Sequence, residues 1–380
     1  MTMVAPPARG AGRQRQAPAQ PQAQALVPFI DGTYEYSEPI ATYTVTPGAS
    51  SQDLPVTNII PGGFLRGVSL IVTSTGGTQG TGVFSADNPW SLFGSLTFES
   101  IDGTPMLYPM NGWSYYCAAR YTRPWSGDPA TDETAFYASG ANPAFRLSYY
   151  LEARATLGCV PNTDARAQYR FRATVNPLSS ANPSGGLYTT LGTATAPTVT
   201  VAVALETYAQ PPRATYTGAP VQPLPPGLAL QRFLSHQIDN VGTGDNTVKE
   251  QRTGNLIRSL ILVFRDTNGN RVDLTSDPIR WRVDNTQLLV ESRNRRDYEM
   301  WKFFSQQTSP GVASVGRPTG VYVYPRWQNP GEMLGQAWLE TIEATFLQFE
   351  VLGAASGGTM ECITEDLVPV GGVVPQLQNI

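Results

Sequence analysis

The sequence predicts an all-β chain made of two successive β-sandwiches, and three observations carry that prediction. At 380 residues the chain exceeds what one hydrophobic core organises well, so two domains are expected. Its 36 glycines and 32 prolines suit many short strands joined by turns rather than long helices. One pattern also occurs twice. Residues 62–73 (GGFLRGVSLIVT) and 254–265 (GNLIRSLILVFR) align Gly62 with Gly254, Arg66 with Arg258 and Leu70 with Leu262. Each reads as a glycine leaving a turn, then a strand with aliphatic residues on both faces, covered on both sides. Arg66 and Arg258 fall on the face of the leucines that follow them. Each is therefore expected near a strand end or paired across a domain contact.

The totals narrow the function classes. A net charge of -4 is small for this length, so the folded body is not a general nucleic-acid binder. Lys249 and Lys302 are the only lysines; the arginine bias suits subunit contacts, but a biased source genome is the simpler account. Cys117, Cys159 and Cys362 are too few and too scattered for a disulfide framework or a zinc site, and read as small buried hydrophobes. No apolar run approaches a membrane span, and the N-terminus has no apolar signal core. A soluble protein without an export signal of the usual kind is the expectation.

Residues 1–28 hold Ala, Pro and Gln with Arg9, Arg13 and Arg15, and no acid precedes Asp31. Such a segment cannot repay its ordering entropy and is expected to be a disordered arm. It serves either as a basic arm toward lipid or DNA phosphates or as a plain solubilising tail.

The first sandwich occupies residues 29–210. Residues 40–46 alternate and end at Pro47-Gly48; residues 96–101 run into the Asp102-Gly103 turn. Residues 113–120 form a short helix with Trp113, Tyr116 and Cys117 at helical spacing. Strands follow at 145–151 and 169–175, where Tyr169, Phe171, Ala173 and Val175 oppose Arg170, Arg172 and Thr174. Val199, Val201, Val203 and Leu205 line the last. Residues 211–227 carry six prolines, Pro211, Pro212, Pro220, Pro223, Pro225 and Pro226, and read as an extended linker.

Residues 228–380 replay that order. Asp277-Pro278 stands where Asn88-Pro89 stood, and Asp284-Asn285 where Asp102-Gly103 did. A helix at 296–304 takes the slot of 113–120, and strands follow at 321–324, 345–351 and 360–363. Two domains of about eight short strands each are most simply two jelly-roll sandwiches.

Catalytic constellations are sparse. His236 is the only histidine, which argues against most triads and zinc mechanisms; a structural role near the domain boundary is expected. Gly76-Gly77-Thr78 and Gly242-Thr243-Gly244 lack the Lys and the helix of a phosphate loop. A glycosidase needs only two carboxylates. The candidate pairs are Glu99 with Asp102, Asp132 with Glu133, Glu340 with Glu343 beside Trp338, and Glu365 with Asp366. A turn accounts for Asp102 and a solvated loop for Asp132 and Glu133. No catalytic, cofactor or metal residue is assigned, and the aromatic residues are read as core.

Ordered motifs then carry a resemblance: residues 63–66 continuing to Leu70, residues 254–258 continuing to Phe264-Arg265, residues 144–147 with Leu157-Gly158 and Pro161-Asn162, and residues 338–345. Over roughly residues 30–370 the chain resembles the double jelly-roll major capsid proteins of tectivirus-like phages, which enclose a membrane inside an icosahedral shell. The resemblance implies a structural, non-enzymatic homotrimer with a hexagonal outline. It would meet neighbouring capsomers and minor capsid or vertex proteins in the virion shell, after synthesis in the host cytoplasm. Arg9, Arg13 and Arg15 would face internal lipid or packaged double-stranded DNA. Loops 121–144 and 185–198 would form towers or subunit contacts. The rival reading is a two-domain adhesin or phage-fibre module that binds glycans.

Overall fold

The computed structural model describes residues 25–122, 143–152, 158–166, 168–225, 230–250, 252–273, 279–284, 286–291, 295, 300, 304, 318–325, 338–354 and 357–369. In the first half these form helix α1 (Phe29–Gly32) and strands β1 (Glu35–Val45), β2 (Gln52–Asp53), β3 (Thr57–Asn58), β4 (Phe64–Thr75), β5 (Val83–Phe84), β6 (Phe93–Glu99) and β7 (Pro105–Met110). Helix α2 (Gly112–Thr122) follows, then β8 (Phe145–Tyr150), β9 (Val160–Pro161), β10 (Arg170–Val175), β11 (Tyr188–Thr190) and β12 (Thr198–Tyr208). The second half holds β13 (Leu230–Val241), β14 (Gly244–Glu250), β15 (Leu256–Arg265), β16 (Ile279–Val283), β17 (Thr286–Glu291), β18 (Val321–Pro325), β19 (Leu339–Glu340), β20 (Leu347–Ala354) and β21 (Gly358–Pro369).

The sheet orders answer what the sequence left open. One sheet of the first half runs β1-β12-β4-β8, and the other runs β7-β6-β10 with β2 and β3. In the second half the orders are β13-β21-β15-β18 and β14-β20-β16-β17. Count the principal strands of each half, taking β2 and β3 as one and setting aside the short β5, β9, β11 and β19. Both halves then place the first, eighth, third and sixth strands in one sheet and the second, seventh, fourth and fifth in the other. That is the jelly-roll order, and it occurs twice. The fold is a double jelly roll.

The repeated strand keeps its local geometry in both copies. Before β4, the Gly62 N–H donates to the Asn162 carbonyl at 2.6 Å and the Asn162 N–H to Gly63 at 3.0 Å. Before β15, the Gly254 N–H donates to Thr341 at 2.8 Å and the Thr341 N–H to Asn255 at 2.9 Å. Gly63 (φ 55°) and Gly254 (φ 87°) take the left-handed conformation in these turns, one position apart in the alignment.

Pairing then skips one residue in each copy. Thr207 opposes Leu65 while Glu206 opposes Gly67, and Asp366 opposes Ile257 while Glu365 opposes Ser259. Arg66 and Arg258 are therefore the extra residues of two β-bulges. This corrects the sequence reading. The bulge shifts the alternation, so Leu65, Val68 and Leu70 face the first core while Arg66 points away from it. Likewise Ile257, Leu260 and Leu262 face the second core and Arg258 does not.

The two halves share more than a linker. A parallel bridge from Leu234 on β13 to Leu107 on β7 joins a sheet of each into one ten-stranded sheet. The first core also continues across the seam, taking in Phe233, Leu234, Ile261, Val263, Val321, Val323 and Ile363. Residues 25–28 belong to the arm by composition, yet they are held: the Val27 N–H donates to Pro220 and its carbonyl accepts from Gln222, both at 2.9 Å. The rest of the arm with Arg9, Arg13 and Arg15, the loop 123–142, and most of the helix expected at 296–304 lie outside the described residues. Of that helix's span, residues 300 and 304 are described and helical.

Candidate functional site

The seam is built on α2. The Asn111 side-chain oxygen accepts the Ser114 N–H at 2.8 Å and caps the helix. Every α2 residue but Arg120 is buried, because the helix lies between two bodies rather than on a surface. One side stacks into its own half, with the Tyr116 ring 3.7 Å from Trp90. The other side meets the sheet that contains β15 and β21.

Three acids on β21 tie that sheet to the first half. Glu361 accepts from Arg265 Nε at 2.6 Å and from the Ser114 hydroxyl of α2, with His236 Nε2 at 3.5 Å. Arg265 also meets Asp87 at 2.8 Å, and Asp87 holds Arg271 at 2.9 Å. The Arg271 guanidinium lies 4.1 Å over the Trp113 ring. Glu365 joins Arg232 at 2.6 Å and Arg258 at 2.9 Å. Arg232 reaches the Thr122 hydroxyl at 2.6 Å and the Tyr150 carbonyl. Asp366 pairs with Arg252, which donates to the Tyr108 hydroxyl at 3.0 Å.

Burial sets the electrostatics. Desolvation alone would raise the Glu361 carboxyl, but the His236 hydrogen bond and the Arg265 charge overcome it and hold it down at about 2. At Asp366 desolvation wins over Arg252 and raises the carboxyl to about 6. Desolvation lowers Arg258. Buried pairs of this kind add little net stability, but removing one partner is costly. The chemistry on offer is mechanical: the network joins the two halves through buried charges.

The sequence candidates fall as follows. His236 lies at the seam, with Nδ1 3.1 Å from the Pro109 carbonyl, as a structural residue should. All three cysteines are buried, and desolvation raises each thiol, which makes them inert. Glu99 pairs with Arg172 at 2.9 Å. Asp102 accepts the Thr104 N–H at 2.9 Å within its turn. Glu365 and Asp366 are adjacent on one strand, so they point to opposite faces and serve different arginines. Glu340 and Glu343 are exposed; Asp132 and Glu133 lie outside the described residues. Sequence reasoning missed Asp87, Glu361, Arg232, Arg252, Arg265 and Arg271. The available signal was acidic residues inside the apolar run 360–369, which demand buried cations.

The matching sheet face of the first half is partly open: Ser69, Ser148 and Ala204 on it are buried, and Ile71 is not. There Glu206 stands where Glu365 stands in the second, each opposite the residue that follows the bulged arginine. Glu206 accepts from Arg146 and from the Ser69 hydroxyl, both at 2.7 Å. Ile71 beside them is 44% exposed.

No family model matches the chain. No curated protein matches it either. Solved structures do. The crystal structure of the STIV MCP aligns with TM-score 0.58 at 10% identity, covering 88% of this chain and 97% of that one. The atomic structure of Sulfolobus Turreted Icosahedral Virus aligns with TM-score 0.58 at 11% identity, covering 88% and 91%. The PBCV-1 virus capsid aligns with TM-score 0.54 at 10% identity, covering 88% and 94%. Identities this low establish a shared fold.

Proposed function

We propose that the chain is a structural subunit of an icosahedral virus shell, a major capsid protein that acts as a homotrimer. One observation carries the reading: two jelly rolls with identical strand order are locked side by side through α2, in the fold of the STIV MCP and the PBCV-1 virus capsid. A shell tile must be a rigid body of fixed outline, and the buried charged seam supports that role. Three such chains close with point symmetry into an outline of six jelly rolls. In that trimer the outward face of Ser69, Ile71 and Glu206 meets the second half of the next copy, as the same face of the second half meets α2.

The end of the molecule where β1 and β4 begin and β12 finishes supports an orientation. Leu26, Ile30, Ile60, Ile101, Tyr216 and Leu224 are exposed in the segments around it, and the arm with Arg9, Arg13 and Arg15 leaves from there. Apolar side chains beside a basic arm suit an anionic lipid surface, so this end faces an internal membrane or the packaged DNA. The purified chain is expected to scatter light as a trimer and to show hexagonal outlines in negative stain. A stable monomer, with no shell containing the chain in its source, overturns the reading. Removing residues 1–24 is expected to leave the trimer intact and to weaken binding to anionic vesicles or DNA at low salt. Unchanged binding removes the role given to the arm.

A further inference from the structure

We propose that strand β1 is completed at its free edge by strand β17 of a second copy of this chain, giving sheets that continue from copy to copy. The inference rests on the trimer reading and adds the contact that closes it.

The seam inside one chain sets the pattern. The first strand of the second jelly roll, β13, lies beside the fifth strand of the first, β7, and bridges it in parallel at Leu234 and Leu107. The counterparts of these two strands are β1, first in its half, and β17, fifth in its half. Among the described residues β1 pairs only with β12, and β17 only with β16. Each leaves one edge of N–H and C=O groups open, which is a ready template for another strand.

The registers match as well. Leu234 stands opposite Glu365 on β21, and Ser37 stands opposite Glu206 on β12. Glu206 and Glu365 are counterparts, so Ser37 occupies the position of the bridging leucine. Glu35, Ser37 and Glu38 are exposed, and so are Thr286 and Gln287 at the start of β17. The open stretch is also short by design. Pro39 has no N–H to give, and the register of β1 breaks between Pro39 and Ala41. On β7, Pro105 and Pro109 bracket the bridging Leu107 in the same way. Both seats admit only a few residues of pairing, which sets a register and discourages open-ended strand addition. Within one chain the equivalent seat on β13 is filled by β7, so the strand that fills β1 comes from the next copy.

Cysteine pairing in the full-length protein tests this. Ser37→Cys is combined in turn with Gln287→Cys and Leu289→Cys, and each variant is oxidised mildly after its mass in solution is measured. Hydrogen exchange is followed on unsubstituted protein. The expected result is a trimer in which one of the two combinations gives a covalent ladder of two and three chains, with amides in 35–38 exchanging at least tenfold more slowly than in dissociated chains. A trimer that gives no ladder with either combination, and whose 35–38 amides exchange as in dissociated chains, overturns the edge pairing and leaves the trimer standing. A protein that remains monomeric overturns both.

Discussion

The two jelly rolls use the same sheet position for opposite purposes. In the second, the face formed by β13, β21, β15 and β18 carries Ile261, Val263, Val321, Val323 and Ile363, all buried against the first half. In the first, the matching face of β1, β12, β4 and β8 carries Ser69, Ile71, Arg146, Ser148 and Ala204. The acids diverge in the same way. The Arg258 and Glu365 side chains are 1% and 0% exposed, whereas those of Arg146 and Glu206 are 36% and 13%. Strand order and bulge position are kept while the face chemistry changes. The jelly-roll frame therefore does not dictate what a face meets. An aliphatic face makes a permanent join within a chain; a small, polar one suits a contact that forms only when chains assemble.

Removing the matched acids should separate the two faces most sharply. Glu365→Gln leaves Arg232 and Arg258 buried without their shared carboxylate, at a cost of about 3–5 kcal/mol. The counterpart Glu206→Gln loses a pair whose arginine is 36% exposed, keeps an amide oxygen for Ser69 and Arg146, and is expected to cost about 1 kcal/mol or less. Urea unfolding of both variants measures the difference, and equal losses would break the comparison. Next in size, Ile363→Ala deletes aliphatic volume from the seam and should cost about 2–5 kcal/mol. Ile71→Ala, on the outward face, should stay within about 1 kcal/mol. A large loss at Ile71 in dissociated chains would mean that this face is already interior in one chain.

Much of the frame was legible in the sequence, for reasons that explain what was not. The strand at 64–75 shows itself as a continuous aliphatic run, and those at 170–175 and 198–208 alternate apolar residues against polar or small ones; both patterns are local. Helix α2 announced itself through Trp113 and Tyr116. Strands β7, β13, β14 and β17 escaped notice. β7 contains Pro105 and Pro109, and β13 places Arg232, His236 and Asp239 among its apolar residues. These strands are held by neighbours distant in sequence, so local propensity is a poor guide to them. The face of Arg66 and Arg258 was misread because a bulge adds one residue without any composition signal. The charged seam was hidden for a related reason: Glu361 and Arg265 are isolated charges in two apolar strands until pairing at β15 and β21 brings them together.

The acids of β21 also predict how the seam responds to pH, and their effects have opposite signs. Glu361 is held at about 2 in the folded protein, below its ordinary 4.5. Its contribution is present above pH 4.5 and is lost as pH falls toward 2, where protons bind the unfolded chain first. Asp366 is raised to about 6 from 3.8. Its folded form keeps a proton that the unfolded chain has already released, so its contribution is present below about pH 4 and is lost as pH rises toward 6. Together they give the seam its greatest stability near pH 4–5, with limbs no steeper than about 1.4 kcal/mol per pH unit for each group. Glu361→Gln should flatten the acid limb and Asp366→Asn the limb between pH 4 and 6, in unfolding midpoints measured from pH 2.5 to 7. On the outward face of the first half, Glu206→Gln should leave both limbs in place. If it removed either limb, the pH response would belong to the whole fold rather than to the join between its two halves.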